Sequence, residues 1–426
     1  MIDVLLSFWN LKDLRKRVLL TVSLLLVARI LIFIPLPLIR TVALKQLFDQ
    51  NAFLGFLNIF SGGGLENFSV VTMGVGPYIT ASIIMQLLTI VSPALEELKK
   101  EGEYGQRKMN QYTRVLTFPL AIIQAYGVLL LLKQNSVLEA WTPLTLMATL
   151  IMMAAGTLFV MWLGEIMTES GVGNGISLLI TLGILGSMPL QIQTLLTAAQ
   201  SSGRYTTLIA LASITLASII FVIIINEGKR LVPIAYARRV RAGGSFGSIA
   251  SHLPIKVNAA GVIPIIFAIA LLAMPIFLGQ FFRQAQSPWL AAFANTLIQY
   301  FQPSTNIYNI AYFFLVFIFT YFYTYVIFRP DQVAENLQKQ GGFIPGVRPG
   351  KETAEYVRGI VNQITFFGGL FLAAIAILPA LLQYKFPTQG FLLSGTSLLI
   401  VISVILETAR QIQSQYLMRT YDVYNQ

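Results

Sequence analysis

The chain has 426 residues, of which 56% are hydrophobic and only 11% charged, where an ordinary soluble domain carries about 25% charged residues. It therefore reads as a polytopic membrane protein, and its net charge of +11 does not point to nucleic acid, because the basic residues fall in loops between apolar runs. The absence of cysteine excludes disulfides, thiolate catalysis and Cys-ligated metals.

Ten spans are expected from apolar runs bounded by charges and turn residues, near 18–39, 70–91, 114–132, 144–164, 175–192, 206–226, 257–282, 308–328, 359–382 and 391–410. The basic stretch Lys12 to Arg17 leads into about twenty apolar residues, too long for a signal-peptide core, so a first span is expected there rather than a cleaved leader. Pro264 and Pro275 should kink the seventh span.

The stretch from Phe53 to Val91 is unusual. Eight apolar residues, 53–60, reach only about 12 Å as a helix and cannot cross a core of about 30 Å. Ser61-Gly62-Gly63-Gly64 then breaks the helix before a run long enough to cross. Broken backbone at membrane depth is tolerated only inside protein or against a water-filled cavity. A surface helix followed by an ordinary span is the other reading of these residues.

Orientation follows from charge. With a cytoplasmic N-terminus, 22 of the 29 basic residues fall on the cytoplasmic side, six on the opposite side, and Arg29 within the first span. The positive-inside rule thus places both termini in the cytoplasm. Two cytoplasmic loops, 227–256 and 329–358, are long, basic and rich in Gly and Pro, with apolar residues (Ile234, Tyr236, Phe246, Phe343, Ile344) among the charges. Docking of a large partner is the preferred reading over an anchor to anionic lipid. A midpoint near Ser201-Ser202-Gly203 divides the chain into halves 1–205 and 206–426, five spans each. An odd number of spans per half makes the second enter the membrane in the opposite sense, the geometry of an inverted repeat.

Chemistry-bearing residues are scarce. Arg29 lies mid-span and is expected to snorkel or sit satisfied without a role in transport, while Glu165 and Glu407 lie near helix ends. No metal-protease, Ser/His/Asp or phosphate-loop pattern is present, and Gly171 to Gly175 reads as a tight turn, so an enzyme is not expected. Isoleucines recur at helical spacing as Ile79/Ile83, Ile180/Ile184 and Ile263/Ile266, each pair sharing a helix face. Gln86, Gln124 and Asn258 are amides within spans, the kind that make helix-to-helix contacts.

The segments SGGGLENFS, MGVGPYITASIIMQLL, KKEGEYGQRKMNQYTR, GVGNGIS, PIKVNAAGVIPIIFA, GGFIPGVRPG and GTSLLIVISVILE occur in this order and together resemble the bacterial SecY family, channel subunits of the protein translocase. The resemblance spans nearly the whole chain. It departs at Pro-Leu-Pro-Leu-Ile-Arg after the first span, at Gly74-Val75-Gly76, and in the loop 243–251, which has fewer basic residues.

The resemblance implies an all-α polytopic fold of ten helices, a clamshell of two five-helix halves around an hourglass pore. It implies a waist ring of Ile79, Ile83, Ile180, Ile184, Ile266 and Ile400, with Ile263 adjacent. It implies a plug, at about 55–69, built from Leu57, Asn58, Ile59, Phe60, Ser61, Gly62, Gly63, Gly64, Leu65, Glu66 and Asn67. A lateral gate between spans two and three and spans seven and eight would carry Gln124 and Asn258, with Gln86 and Thr89. Arg238, Arg239 and Arg348 would dock the SecA ATPase motor or the ribosome. Small membrane subunits SecE and SecG, signal sequences, preproteins and lipid are the implied partners, with no cofactor. The implied membrane is the bacterial plasma membrane or a thylakoid. A secondary transporter with inverted repeats is the alternative, disfavoured because coupled carriers keep acids or histidines along their route.

Overall fold

The computed structural model describes residues 12–36, 54, 58, 61–135, 137, 142–202, 205–236, 251–283, 287–303, 305–385 and 395–424. Each expected span has a helix among the described residues. In the N-terminal half these are α1 (Lys12–Leu31), α2 (Gly76–Val91), α4 (Glu103–Gln134), α5 (Pro143–Ser170) and α6 (Gly175–Ser202). In the C-terminal half they are α7 (Tyr205–Glu227), α8 (Ile263–Phe282), α10 (Asn306–Ile327), α12 (Lys351–Lys385) and α13 (Gly395–Tyr424). Five of the described helices (α4, α5, α6, α12 and α13) have 28 or more residues. By length and composition, seven of the described helices are apolar enough to cross a membrane alone, and α2 joins them when continued by α3 (Pro93–Lys100) across a 101° bend. α1 and α13 fall short because charged or polar residues occupy one end of each.

Helix α2 begins at Gly76, not at residue 70 as expected. Pro77 occupies its first turn, where a missing N–H costs nothing, and residues 61–75 form turns, most of them buried. Pro264 likewise sits in the first turn of α8 and does not kink it, so only Pro275 lies inside that helix. The glycine-rich turn 171–174 is tied from two other helices. The Val172 N–H donates to Thr21 Oγ1 of α1 at 3.0 Å, and the Gly173 N–H to Gln411 Oε1 of α13 at 2.8 Å.

The halves meet along two seams. On one, α8 packs against α2 and α4; on the other, α13 and α7 pack against α6. Close approaches hold the N-terminal half together. A Cβ added at Gly156 of α5 would lie 2.0 Å from the Val70 carbonyl oxygen. Gly156→Ala should cost about 1–3 kcal/mol or more, read as a lower thermal midpoint in detergent; an unchanged midpoint would remove this contact from the fold's determinants.

At the end of the bundle carrying most of the basic residues, the two long loops fold together. Strands β1 (Lys229–Tyr236) and β2 (Ser251–Lys256) pair antiparallel, and β3 (Gly342–Phe343) of the other loop adds to β1 through Ala235↔Phe343 and Tyr236↔Gly342. Val232, Ile255 and Ile344 pack on Val357, Ile360 and Val361 of α12 in a separate small core. Between them α11 (Pro330–Lys339) is stapled to α12 by Arg358, which donates to both oxygens of Asp331 at 2.9 and 3.1 Å.

Candidate channel and gate

The isoleucines singled out in sequence converge. Ile79 and Ile83 of α2, Ile180 and Ile184 of α6, Ile266 of α8 and Ile400 of α13 are all buried in one cluster, and Ile263 packs against it half-buried. Four helices thus contribute isoleucines to one apolar cluster, and Ile79, Ile180, Ile263 and Ile266 also line one cavity. β-Branched side chains are stiff at χ1, so such a ring holds its shape without making hydrogen bonds.

Towards the basic end the cluster floors a vestibule of about 250 Å³, whose polar wall includes Ser82, Gln86, Asn110, Glu165 and Asn174. Arg114 donates to Glu165 Oε1 at 2.8 Å across α4 and α5. On the other side, among the described residues, a small gap is bounded by Ile32, Val75, Leu179 and the turn at Ser61 and Gly62.

That turn belongs to a self-bonded unit. Asn58 Oδ1 accepts from the Glu66 N–H at 3.1 Å and from Ser61 Oγ at 3.3 Å, while Asn58 Nδ2 donates to Glu66 Oε2 at 3.2 Å. The Gly63 N–H bonds the Asn58 carbonyl at 3.0 Å, and the Leu65 N–H bonds Ser61 Oγ at 3.0 Å. Gly62 and Gly63 take φ of 70° and 92°, conformations open to glycine at little steric cost. Leu65 and Phe68 are buried against α4 and α8. Leu57, Ile59 and Phe60, also expected in this unit, lie outside the described residues.

Of the expected gate residues, one bridges the seam directly. The Tyr323 hydroxyl of α10 donates to Gln86 Oε1 of α2, and Gln86 Nε2 donates to Ser82 Oγ at 3.2 Å. Gln124 of α4 donates to Thr80 Oγ1 of α2 at 3.2 Å, lining a narrow gap that faces Ile269, Ala273 and Phe277 of α8. The other two expected gate residues bond within their own halves. Thr89 donates to its own helix at the Gln86 carbonyl, 2.6 Å away. Asn258 is drawn into the C-terminal half, donating to Asn226 Oδ1 at 2.8 Å, while Asn226 donates to Ser403 Oγ at 2.7 Å. Its place in the turn before α8, at the basic end, explains the difference. Tyr323 and Thr80 were not foreseen; a tyrosine inside a span needs a partner for its hydroxyl, which is the signal that could have found the first.

At the basic end, Lys99 is held below the usual lysine range by burial and then by Arg329, and Lys256 by burial and then chiefly by Arg410. Arg348 stands at the loop tip with its side chain 87% exposed and only a 3.9 Å contact to Glu352. Arg238 and Arg239 lie outside the described residues.

An apolar cluster fed by isoleucines of four helices, with a polar-walled cavity on one side and a self-bonded glycine turn on the other, is the arrangement of a multi-pass membrane protein with a candidate channel. A SecY family model matches residues 69–409. The protein translocase subunit SecY of Synechocystis sp. is 40% identical over 96% of this chain and 93% of its own length, and that of Vibrio cholerae is 39% identical over 97% and 94%. Among solved structures, one described as a protein conducting channel superposes with a TM-score of 0.67 at 18% identity, covering 94% of this chain and 92% of that one. A SecY structure, described as having a plug domain that stabilises the closed state and maintains a membrane seal, gives 0.66 at 19% identity with the same coverage. The chain belongs to the SecY family: it is a pore-forming subunit of a protein translocase.

Proposed function

We propose that the seven isoleucines form the waist through which an unfolded polypeptide passes, that residues 57–67 plug it, and that the α2/α4–α8/α10 seam opens to release hydrophobic segments into the bilayer. The convergence of isoleucines from four helices above a self-bonded glycine turn carries this reading. Apolar constrictions exclude water and ions by dewetting, and apolar contacts accept any sequence without holding some too tightly. The segment's blocked position matches what the related SecY structure is said to do with its plug.

The halves divide at 205/206, and the basic end is cytoplasmic, with both termini there, in a bacterial plasma membrane or a thylakoid. The loops 227–256 and 329–358 dock the driving partner, a SecA motor or a ribosome; a canine Sec61 channel in a ribosome-bound complex has this fold, with a TM-score of 0.63 at 18% identity. SecE and SecG are the expected membrane subunits. The chain itself is passive, with transport powered by the partner.

The test exploits a chain without cysteine. Single cysteines at Ile79, Ile180 or Ile400 should cross-link to a preprotein arrested in transit, and a cysteine at Leu216, exposed on α7, should not. Equal labelling at all four would overturn the waist.

The bond from Tyr323 to Gln86 gives a second expectation. Such a neutral bond contributes about 0.5–1.5 kcal/mol net, so Tyr323→Phe should favour the open seam and raise transport of preproteins with weakened signal sequences severalfold. An unchanged ratio of weak to intact signal would show that this bond does not hold the gate.

A further inference from the structure

Arg29 is a cation in the last turn of α1, and among the described residues no carboxylate pairs with it. Its guanidinium instead donates to two backbone carbonyls, Gly62 at 3.3 Å through Nη1 and Gly186 of α6 at 3.4 Å through Nη2. It also lies over the Phe33 ring, 5.4 Å from the centroid, within cation–π range. The pocket for it is made by glycine: a Cβ at Gly186 would stand 2.5 Å from Nη1 and 2.8 Å from Cζ. Pro189, inside α6, lacks the N–H that would bond the neighbouring Leu185 carbonyl, which loosens the ladder at this point.

The connections of the glycine segment to its frame make this contact consequential. The segment's own bonds, centred on Asn58, hold it together as a unit. At its root it pairs with the stretch that follows α1, where the Leu36 N–H bonds the Phe68 carbonyl at 2.9 Å and the Val70 N–H bonds the Ile34 carbonyl at 3.0 Å. At its tip, Gly62 packs on Gly183 of α6, where an added Cβ would lie 3.5 Å from the Gly183 Cα. The described polar contact at that tip is Arg29.

We propose that Arg29 is a positioning residue that latches the plug's tip to α6 and so sets the equilibrium between sealed and open channel. The proposal rests on reading residues 57–67 as the plug. A charge at membrane depth is costly unless satisfied, so the carbonyl of Gly62 holds the guanidinium as firmly as the guanidinium holds the plug. Displacing the plug leaves Arg29 one acceptor short, which favours return of the tip after a chain has passed.

The test compares Arg29→Met, Arg29→Lys, Gly186→Ala and a deletion of 58–66, each reconstituted with its partner subunits in vesicles. Idle ion leak and transport of a preprotein with a defective signal sequence are measured. Arg29→Met should raise both, with the open population increasing about tenfold, equivalent to about 1.4 kcal/mol. Arg29→Lys should restore part of the seal, because an ammonium still donates. Gly186→Ala should reproduce Arg29→Met by ejecting the guanidinium, and Arg29→Met in the deletion background should add nothing to the deletion. A leaky deletion with a tight, properly folded Arg29→Met overturns the latch and leaves the plug standing. A deletion that does not leak overturns the plug itself. Additive leak in the double variant, or lower thermal stability without leak, assigns Arg29 to helix packing and also overturns the latch.

Discussion

Serine at both Ile180 and Ile400 should raise the ion conductance of the idle channel by about tenfold or more, since an apolar constriction gates by excluding water. These two isoleucines are the most deeply buried of the ring, each 1% exposed, and they approach from opposite halves on α6 and α13. Placing hydroxyls there gives water two partners inside the apolar cluster and removes most of the apolar bulk of both side chains. Fold integrity is checked by a sharp elution profile and by Ile180→Val, a change that typically costs about 0.5–1.5 kcal/mol in a core and should leave the seal tight. The measurement is single-channel conductance or dye release without preprotein. An intact double variant with wild-type conductance would move the barrier from the ring to the plug alone. Both contributions are separable, because the plug deletion tests the second barrier with the ring unchanged.

The span pattern was legible because hydrophobicity and charge are written along the chain at helical length. All ten runs became helices, and the clustering of basic residues at one end followed from the same list. What the sequence could not supply was the partner of each polar group. Gln86 and Asn258 look alike in sequence, an amide flanked by apolar residues. Tyr323 reaches one across the seam, whereas Asn226, 32 residues earlier in the chain, captures the other. Arg29 shows the same limit: its periodicity said only that a cation lay mid-span, and the two acceptors come from 33 and 157 residues away. Helix starts failed for a local reason. At 70–75 and 257–262 the apolar run begins before the helix does, because Pro77 and Pro264 fix the first turn and the residues ahead of each form turns and bends. The isoleucine pairs were readable as faces, but that four such faces meet is a property of the packed halves.

Arg348→Glu should reduce partner-driven transport by about tenfold or more while leaving the idle seal and thermal stability unchanged. An exposed substitution away from caps and pairs usually shifts stability by no more than about 0.5 kcal/mol, and Arg348 has only the weak 3.9 Å contact to Glu352 to lose. The loop itself does not depend on the arginine side chain. Its turn is made by Gly346 and Gly350 at φ of 85° and 103°, by Thr353 Oγ1 donating to the Arg348 carbonyl at 2.8 Å, and by β3 joining β1. The side chain is thus presented on a rigid support, at the end of the bundle where Lys99 faces Arg329 and Lys256 faces Arg410. Burial and a neighbouring guanidinium both weaken the hold of each lysine on its proton, and an anionic surface brought against this end offsets that. Reversing the sign at the tip removes attraction and sets a new carboxylate beside that of Glu352, two acids facing such a partner. Arg348→Lys should retain part of the activity, because the charge persists but the bidentate fork is lost. Raising salt should narrow the gap between wild type and the charge-reversed variant, since surface attraction is screened. Full transport by Arg348→Glu in a reconstituted system, at low salt, would remove this loop tip from the docking surface.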